Sequence, residues 1–383
     1  MSTLATYDFG LSADEEARAR RLHDDSIVID LLFQGPCGYA CFAPATVEQL
    51  RERFARTGDA SATMRAGILA PIREAVTGAS TTFEDCWRAS GVTAGNRQIE
   101  PGDPRFLELT AGMAQVQFDR LGWLDKALTA ADIRGAKAAG RHAGYVSTQL
   151  TYGPFRELAS LDALHDLGLR MCGLAYNRTN ALAVGCTEGP GGLSRLGVAA
   201  VERMNELGIL VDVSHAGAGT VRDVCAVSQA PAVASHGGAA ALHPHDRNLD
   251  DALLEAVAAT GGVIGVAAVP FFLGAGAGLT IEAMLDHVDH VVAVVGWEHA
   301  AIGTDWPMQL PKWALTTLLT EEAAATGFRP EHGLDLDTNL VGFDDYRDWP
   351  NITRGLVARG YDDDAVRAIV GGNALRVFEQ VWG

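Results

Sequence analysis

Short apolar runs rich in Val, Ile and Ala alternate along the chain with longer amphipathic stretches. This is the pattern of parallel strands buried on both faces and joined by helices. Strands are predicted at Ser26 to Leu31, Gly144 to Leu150, Leu169 to Leu174, Gly208 to Val213, Ala230 to Ala234, Gly262 to Val269 and Ala300 to Gly303. A further run near Ala66 to Ala70 lies in an Arg/Thr/Ala-rich segment, 51 to 100, that also reads as helical insertion. Helices are predicted at Leu196 to Leu207, Ala216 to Ser228, Leu249 to Thr260, Ile281 to Val295 and Asp362 to Trp382. Gly208, Pro231 and the pair Gly261 and Gly262 supply stop signals. No Ser/Pro-rich linker and no repeat of fixed period divides the sequence. The expected fold is therefore α/β: a (β/α)8 TIM barrel forming a single domain over 1–383, with insertions at about 32–118 and 306–350.

Composition narrows the function classes. The chain has 383 residues, 48% hydrophobic and 20% charged, so core material is ample. A formal charge of −18 argues against a nucleic-acid partner. The longest apolar stretches, such as Gly261 to Leu273, are interrupted and fall short of the roughly 20 residues that span a bilayer, so no membrane association is expected. Asp8, Asp14, Glu15 and Glu16 break the basic-then-apolar order of a secretory signal, which predicts a cytoplasmic protein. The cysteines at 37, 41, 86, 172, 186 and 225 form no CxxC pair, and reduced thiols are expected. Cys37 and Cys41 have a helical metal-binding spacing, but Pro36, Gly38 and Tyr39 predict a loop there.

In such a barrel, reactive side chains stand at the C-terminal ends of strands. Two strand ends are alike: Val211-Asp212-Val213-Ser214-His215 and Val233-Ala234-Ser235-His236 each place a Ser-His pair after a buried run, one strand-helix-strand step apart. Two neutral imidazoles on neighbouring strands can hold a divalent metal, zinc being the usual occupant. A third strand end, Ala301-Ile302-Gly303-Thr304-Asp305, supplies a carboxylate that can ligate the metal, serve as base toward its water, or merely cap a helix. Arg247 suits a bidentate clamp on a substrate carboxylate, or a surface ion pair with Asp250 or Asp251. His243 and His245 should point to opposite sides of an extended loop, and His287 and His290 should lie solvated or half-buried on an outer helix. The Gly-rich stretches 189–192 and 274–278 lack a phosphate-loop order, and Gly-x-Ser-x-Gly is absent.

The blocks around His215 and His236, with Asp246-Arg247-Asn248-Leu249, Gly261 to Val266, Ile302 to Asp305 and Gly371 to Arg376, resemble the renal or membrane dipeptidase family of the amidohydrolase superfamily. The resemblance covers roughly residues 20 to 383. It implies the barrel, a small-molecule or dipeptide substrate, and typically two zinc ions bridged by a carboxylate. By position it makes His215 and His236 the ligands of one metal, Asp305 the catalytic carboxylate and Arg247 the substrate anchor. It also admits a homodimer, although no helix carries an apolar stripe assignable to an interface.

Three positions depart from the family pattern. Leu32 and Gln34 stand where a His-x-Asp pair would bind the other zinc. Gln149 or Thr151 stands near the place of the bridging Glu, with Tyr152 beside it. Tyr176 replaces the His that polarises the scissile carbonyl, and its hydroxyl can still donate to an oxyanion. Losing two carboxylates removes the charge that offsets a second dication, so one metal is expected, with Gln149 and Tyr152 as substrate contacts. The leading expectation is a dipeptidase-like metal-dependent hydrolase of an amide bond in a small carboxylate-bearing substrate. The alternatives are a lyase, isomerase or condensing enzyme on the same barrel, or a non-catalytic ligand-binding descendant.

Overall fold

A computed structural model describes residues 7–100, 104–149, 157–276, 278–323 and 325–383. Among the described residues nine strands occur in chain order: β1 (Ile29–Asp30), β2 (Ala94–Gln98), β3 (Leu124–Lys126), β4 (His142–Thr148), β5 (Leu169–Gly173), β6 (Leu210–Asp212), β7 (Ala232–Gly237), β8 (Val263–Val266) and β9 (Ala300–Ile302). All pairings are parallel in the order β1-β2-β4-β5-β6-β7-β8-β9, with β3 added outside this path on β4. Two hydrogen bonds join the ends of the path, Leu31 N to Ile302 O and Asp305 N to Leu32 O, each 2.9 Å. The result is a nearly closed barrel of eight parallel strands, as the alternation of buried runs and amphipathic stretches requires.

The barrel has a plugged lower end. Ile29, Leu31, Tyr145, Met171, Leu210, Val233, Val263 and Ala301 share one buried cluster with Ala374, Leu375, Val377 and Phe378 of the last helix, Asn373–Trp382. The Phe378 ring lies 5.1 Å from that of Tyr145 and stacks at 3.9 Å on Trp382. Side chains therefore fill the bottom, and polar residues at the strand C-termini occupy the other end. Close approach is needed at β9: a Cβ on Gly303 would lie 1.8 Å from the Ser235 carbonyl oxygen.

Several expectations need correction. The Ala66 to Ala70 run is not a strand but lies within the helix Ala60–Val76. The true second barrel strand is β2, Ala-Gly-Asn-Arg-Gln, whose polar residues give no apolar run. Its side chains are buried because they are bonded: Asn96 Oδ1 accepts from Phe33 N at 2.6 Å and Nδ2 donates to Ser147 Oγ at 2.9 Å, while Arg97 Nε donates to the Asn96 carbonyl at 2.7 Å. The stretch 32–118 thus holds a barrel strand as well as helices. His287 is fully buried, its Nδ1 accepting from Ala239 N and its Nε2 facing the Leu273 carbonyl. The His243 and His245 rings, expected on opposite sides, lie nearly parallel with centroids 6.2 Å apart. Among the described residues no helix is long and apolar enough to cross a membrane.

Candidate functional site

The upper rim contains three non-glycine residues with left-handed backbones: Asn177 (φ 55°), His215 (φ 65°) and Asp305 (φ 58°). Such conformations cost about 1–3 kcal/mol each and concentrate where side chains must be aimed. Here they follow β5, β6 and β9, and they turn an amide, an imidazole and a carboxylate toward the barrel mouth.

Both imidazoles are held by their Nδ1 atoms. His215 Nδ1 donates to Asn177 Oδ1 at 2.7 Å, and the Tyr176 ring stacks on the imidazole with centroids 4.0 Å apart. His236 Nδ1 donates to Ser235 Oγ at 2.7 Å, which in turn donates to Asp212 Oδ2 at 2.5 Å. Asp212 Oδ1 accepts from Ser214 N and Ser235 N, each at 3.0 Å, fixing the relay to two strand ends. Burial, reinforced by the Arg247 charge, pushes both histidines well below their usual pKa, so both are neutral. With the Nδ1 protons committed, each Nε2 presents a lone pair.

These lone pairs face each other. His215 Nε2 and His236 Nε2 are 2.9 Å apart, Gln149 Oε1 is 2.9 Å from His215 Nε2, and Asp305 Oδ2 is 3.9 Å from His236 Nε2. Two imidazole nitrogens, an amide oxygen and a carboxylate oxygen converge, and their orienting bonds leave the imidazoles no proton to share. A divalent cation with a preference for nitrogen and oxygen ligands satisfies such a set, and the residues fit such an ion.

The neighbouring position differs. Leu32 is fully buried, and Gln34 Nε2 donates to Asp305 Oδ1 at 2.7 Å. Gln98 Nε2 reaches Gln34 Oε1 at 3.5 Å. A second cation there would meet an N–H rather than a carboxylate. The nearby Asp30 is fully committed: it accepts from Leu32 N, Thr304 N, Thr304 Oγ1 and Trp349 Nε1, tying β1 to β9. Asp305 itself is pushed up to about 7, chiefly by burial, with the Gln34 hydrogen bond and the Arg247 charge acting against the rise.

Two clefts flank this centre. One, of about 250 Å³, is lined by His215, His236, His245, Cys186 and Arg247; the other, of about 280 Å³, by Gln34, Gln98, Gln149, Tyr176 and Arg97. Gln149, which lines the second, contacts His215, which lines the first, at 2.9 Å. Arg247 is only 3% exposed, its Nη2 donates to the His236 carbonyl at 3.3 Å, and its guanidinium lies 5.1 Å above the Phe272 ring. Its Nε has no partner among the described residues. The surface pairing with Asp250 or Asp251 does not form: Asp250 caps the helix Asp251–Ala259, and Asp251 pairs with His290.

His215, His236, Asp305 and Gln149 are thus brought together, with Tyr176 stacked on His215 and Arg247 bonded to the His236 carbonyl. Tyr152 and Thr151 lie outside the described residues. Sequence reasoning missed Asn177, the Asp212–Ser235 relay and the role of Gln34. Asn directly after Tyr176 was a signal, since Asn tolerates φ above zero. Asp212 and Ser235 stood inside the two Ser-His blocks, but nothing local showed that one strand's Asp serves the other strand's His.

A family model described as membrane dipeptidase (peptidase family M19) matches residues 106–320 and 333–382. The chain is similar to dipeptidase verJ of Clonostachys rogersoniana, 29% identical over 291 residues, covering 73% of this chain and 67% of that protein. It is also similar to dipeptidase tcpJ of Claviceps purpurea, 26% identical over 279 residues, covering 72% and 59%. These matches therefore span about three fifths to two thirds of the relatives' own length. In structure it resembles an amidohydrolase from Pseudomonas aeruginosa, with a TM-score of 0.73 at 25% identity, covering 95% of this chain and 99% of the other.

Proposed function

Because the chain belongs to the membrane dipeptidase family (peptidase family M19), we propose that it hydrolyses the amide bond of a dipeptide-like, carboxylate-bearing substrate with a single divalent ion. Zinc is the ion the donor set favours, held by His215 and His236 with Asp305 and Gln149 alongside. The observation that carries this reading is the 2.9 Å approach of two Nε2 lone pairs whose Nδ1 protons are already committed. Bound there, the ion would supply Lewis-acid polarisation of a carbonyl and a water of lowered pKa.

The chain's own groups then have distinct tasks. Asp305, with its carboxyl near 7, takes a proton from the attacking water at Oδ2 and returns it to the leaving amine, while Gln34 holds Oδ1. Arg247 binds the substrate carboxylate with the donors that no carboxylate among the described residues claims. Tyr176 directs its hydroxyl to the developing oxyanion, and stacking on His215 fixes its ring. Gln149, through its amide nitrogen, and Tyr152 complete the substrate contacts. Turnover of a dipeptide panel, measured before and after chelation and after zinc is restored, tests this. Hydrolysis that disappears with the ion and returns with it is expected; full hydrolysis in chelator overturns the reading.

One observation favours a second reading. Gln34, Gln98 and Gln149 are neutral, and buried Arg97 lines the same cleft. That chemistry also suits a non-hydrolytic acid-base reaction on an anionic metabolite. Metal-dependent peptide turnover counts against it.

A further inference from the structure

Three cysteines far apart in sequence meet beside the barrel mouth. Cys37 and Cys41 come from the loop after β1, and Cys86 from the helix Thr82–Ser90. Their three Sγ atoms lie within 4.8 Å of one another, with Cys41 and Cys86 3.1 Å apart. Cys37 and Cys86 are buried, and Cys41 is partly exposed and gives a path from solvent. A buried carboxylate completes the group: Asp345 Oδ2 stands 3.7 Å from Cys41 Sγ, while its Oδ1 accepts from Arg347 N at 3.0 Å and Arg347 Nε at 2.8 Å. Gly38 makes this approach possible, because a Cβ there would lie 2.7 Å from Asp345 Oδ2 and 3.2 Å from Pro307 Cγ.

We propose that Cys37, Cys41, Cys86 and Asp345 form a second, non-catalytic site for a zinc-class divalent ion, a clamp that ties the loop after β1 to the segment after β9. A tetrahedral ion with sulfur at about 2.3 Å sets its sulfurs about 3.8 Å apart, and the cluster, with one pair at 3.1 Å and all three within 4.8 Å, is close to that spacing. Soft thiolates select zinc over magnesium or calcium, and a fourth oxygen ligand closes the structural tetrahedron. Binding displaces the three thiol protons to solvent. Three thiolates and a carboxylate carry four negative charges, which the dication and Arg347 offset by three. The clamp bears on the candidate active site through the backbone: Cys37 is three residues beyond Gln34, the partner of Asp305, and Gly38 abuts Pro307, two residues beyond Asp305.

Zinc content of the His215→Ala/His236→Ala double variant separates this site from the proposed catalytic one. One zinc per chain should persist there and be lost when Cys41→Ser, a partly exposed position, is added. The unmutated chain loaded with cobalt(II) provides a readout that needs no variant. A thiolate-to-cobalt charge-transfer band is expected, because no sulfur belongs to the proposed catalytic set. The proposal is overturned by the absence of both retained zinc and the band, by zinc that survives the cysteine substitution, or by a Cys41–Cys86 disulfide in the protein as isolated.

Discussion

Arg247→Met separates the two consequences of a buried, unpaired cation. The guanidinium is 3% exposed and forms no ion pair among the described residues, so in the free protein its charge is desolvated with no carboxylate in direct contact to offset it. Removing such a charge relieves its desolvation cost, and replacing even a whole buried ion pair by apolar side chains of similar volume is often neutral or stabilising by about 1–4 kcal/mol. Against that stand one hydrogen bond to the His236 carbonyl at 3.3 Å, worth about 0.5–1.5 kcal/mol, and a contact with Phe272 worth up to about 2 kcal/mol. The variant should therefore keep its folding stability within about 2 kcal/mol of the parent. Catalysis should behave differently. A buried arginine that clamps a substrate carboxylate contributes about 2–5 kcal/mol, roughly a 30- to 5,000-fold loss in kcat/KM on truncation. The assay compares a dipeptide with its C-terminal amide in both proteins, alongside urea denaturation. The parent should prefer the free acid by a factor that the variant abolishes, with the amide almost unaffected. Equal loss on both substrates, or a stability loss above about 3 kcal/mol, would refute the clamp and leave Arg247 a structural residue.

Asn177→Ala removes the acceptor that orients His215 and should weaken zinc affinity by about 10- to 100-fold in competitive chelator titrations, with little change in the circular dichroism spectrum. Phe378→Ala opens the plug beneath the barrel and should cost about 3–5 kcal/mol in denaturant unfolding while leaving metal stoichiometry unchanged. His23 contributes a pH-dependent term: burial lowers its pKa from 6.5 to about 4, and it is bonded to Thr353 and Ser90. Its folded pKa lies below its unfolded one, so its stabilisation is complete above about 6.5 and is lost as pH falls toward 4. The stability gap between the parent and His23→Gln should accordingly shrink by about 3 kcal/mol over that window, and a gap that stays constant with pH would contradict the assignment.

The barrel was legible because seven of its strands announce themselves as apolar runs, four of them ended by Gly, Pro or a Ser-His block. Strand β2 was not, since Asn96 and Arg97 are buried by pairing with groups more than fifty residues away or across the rim, which local hydrophobicity cannot register. The same distinction governs the site. His215 and His236 were visible as strand-end residues one crossover apart. Their orientation depends on Asn177 and on an Asp212 whose serine partner sits on the next strand, and these are tertiary facts. The cysteine cluster was hidden for the same reason: the Cys37–Cys41 spacing read as a loop, and it is irregular chain ending in the short 3-10 turn Tyr39–Cys41, but Cys86 reaches it only in the fold.

The most direct test of the one-ion account is an anomalous difference map, collected at the zinc absorption edge, from crystals of the protein grown with zinc. One peak is expected between His215 Nε2 and His236 Nε2, with Asp305 and Gln149 alongside and no density for an ion beside Leu32 and Gln34. A pair of ions at the barrel mouth, or none within reach of the two imidazoles, would contradict it.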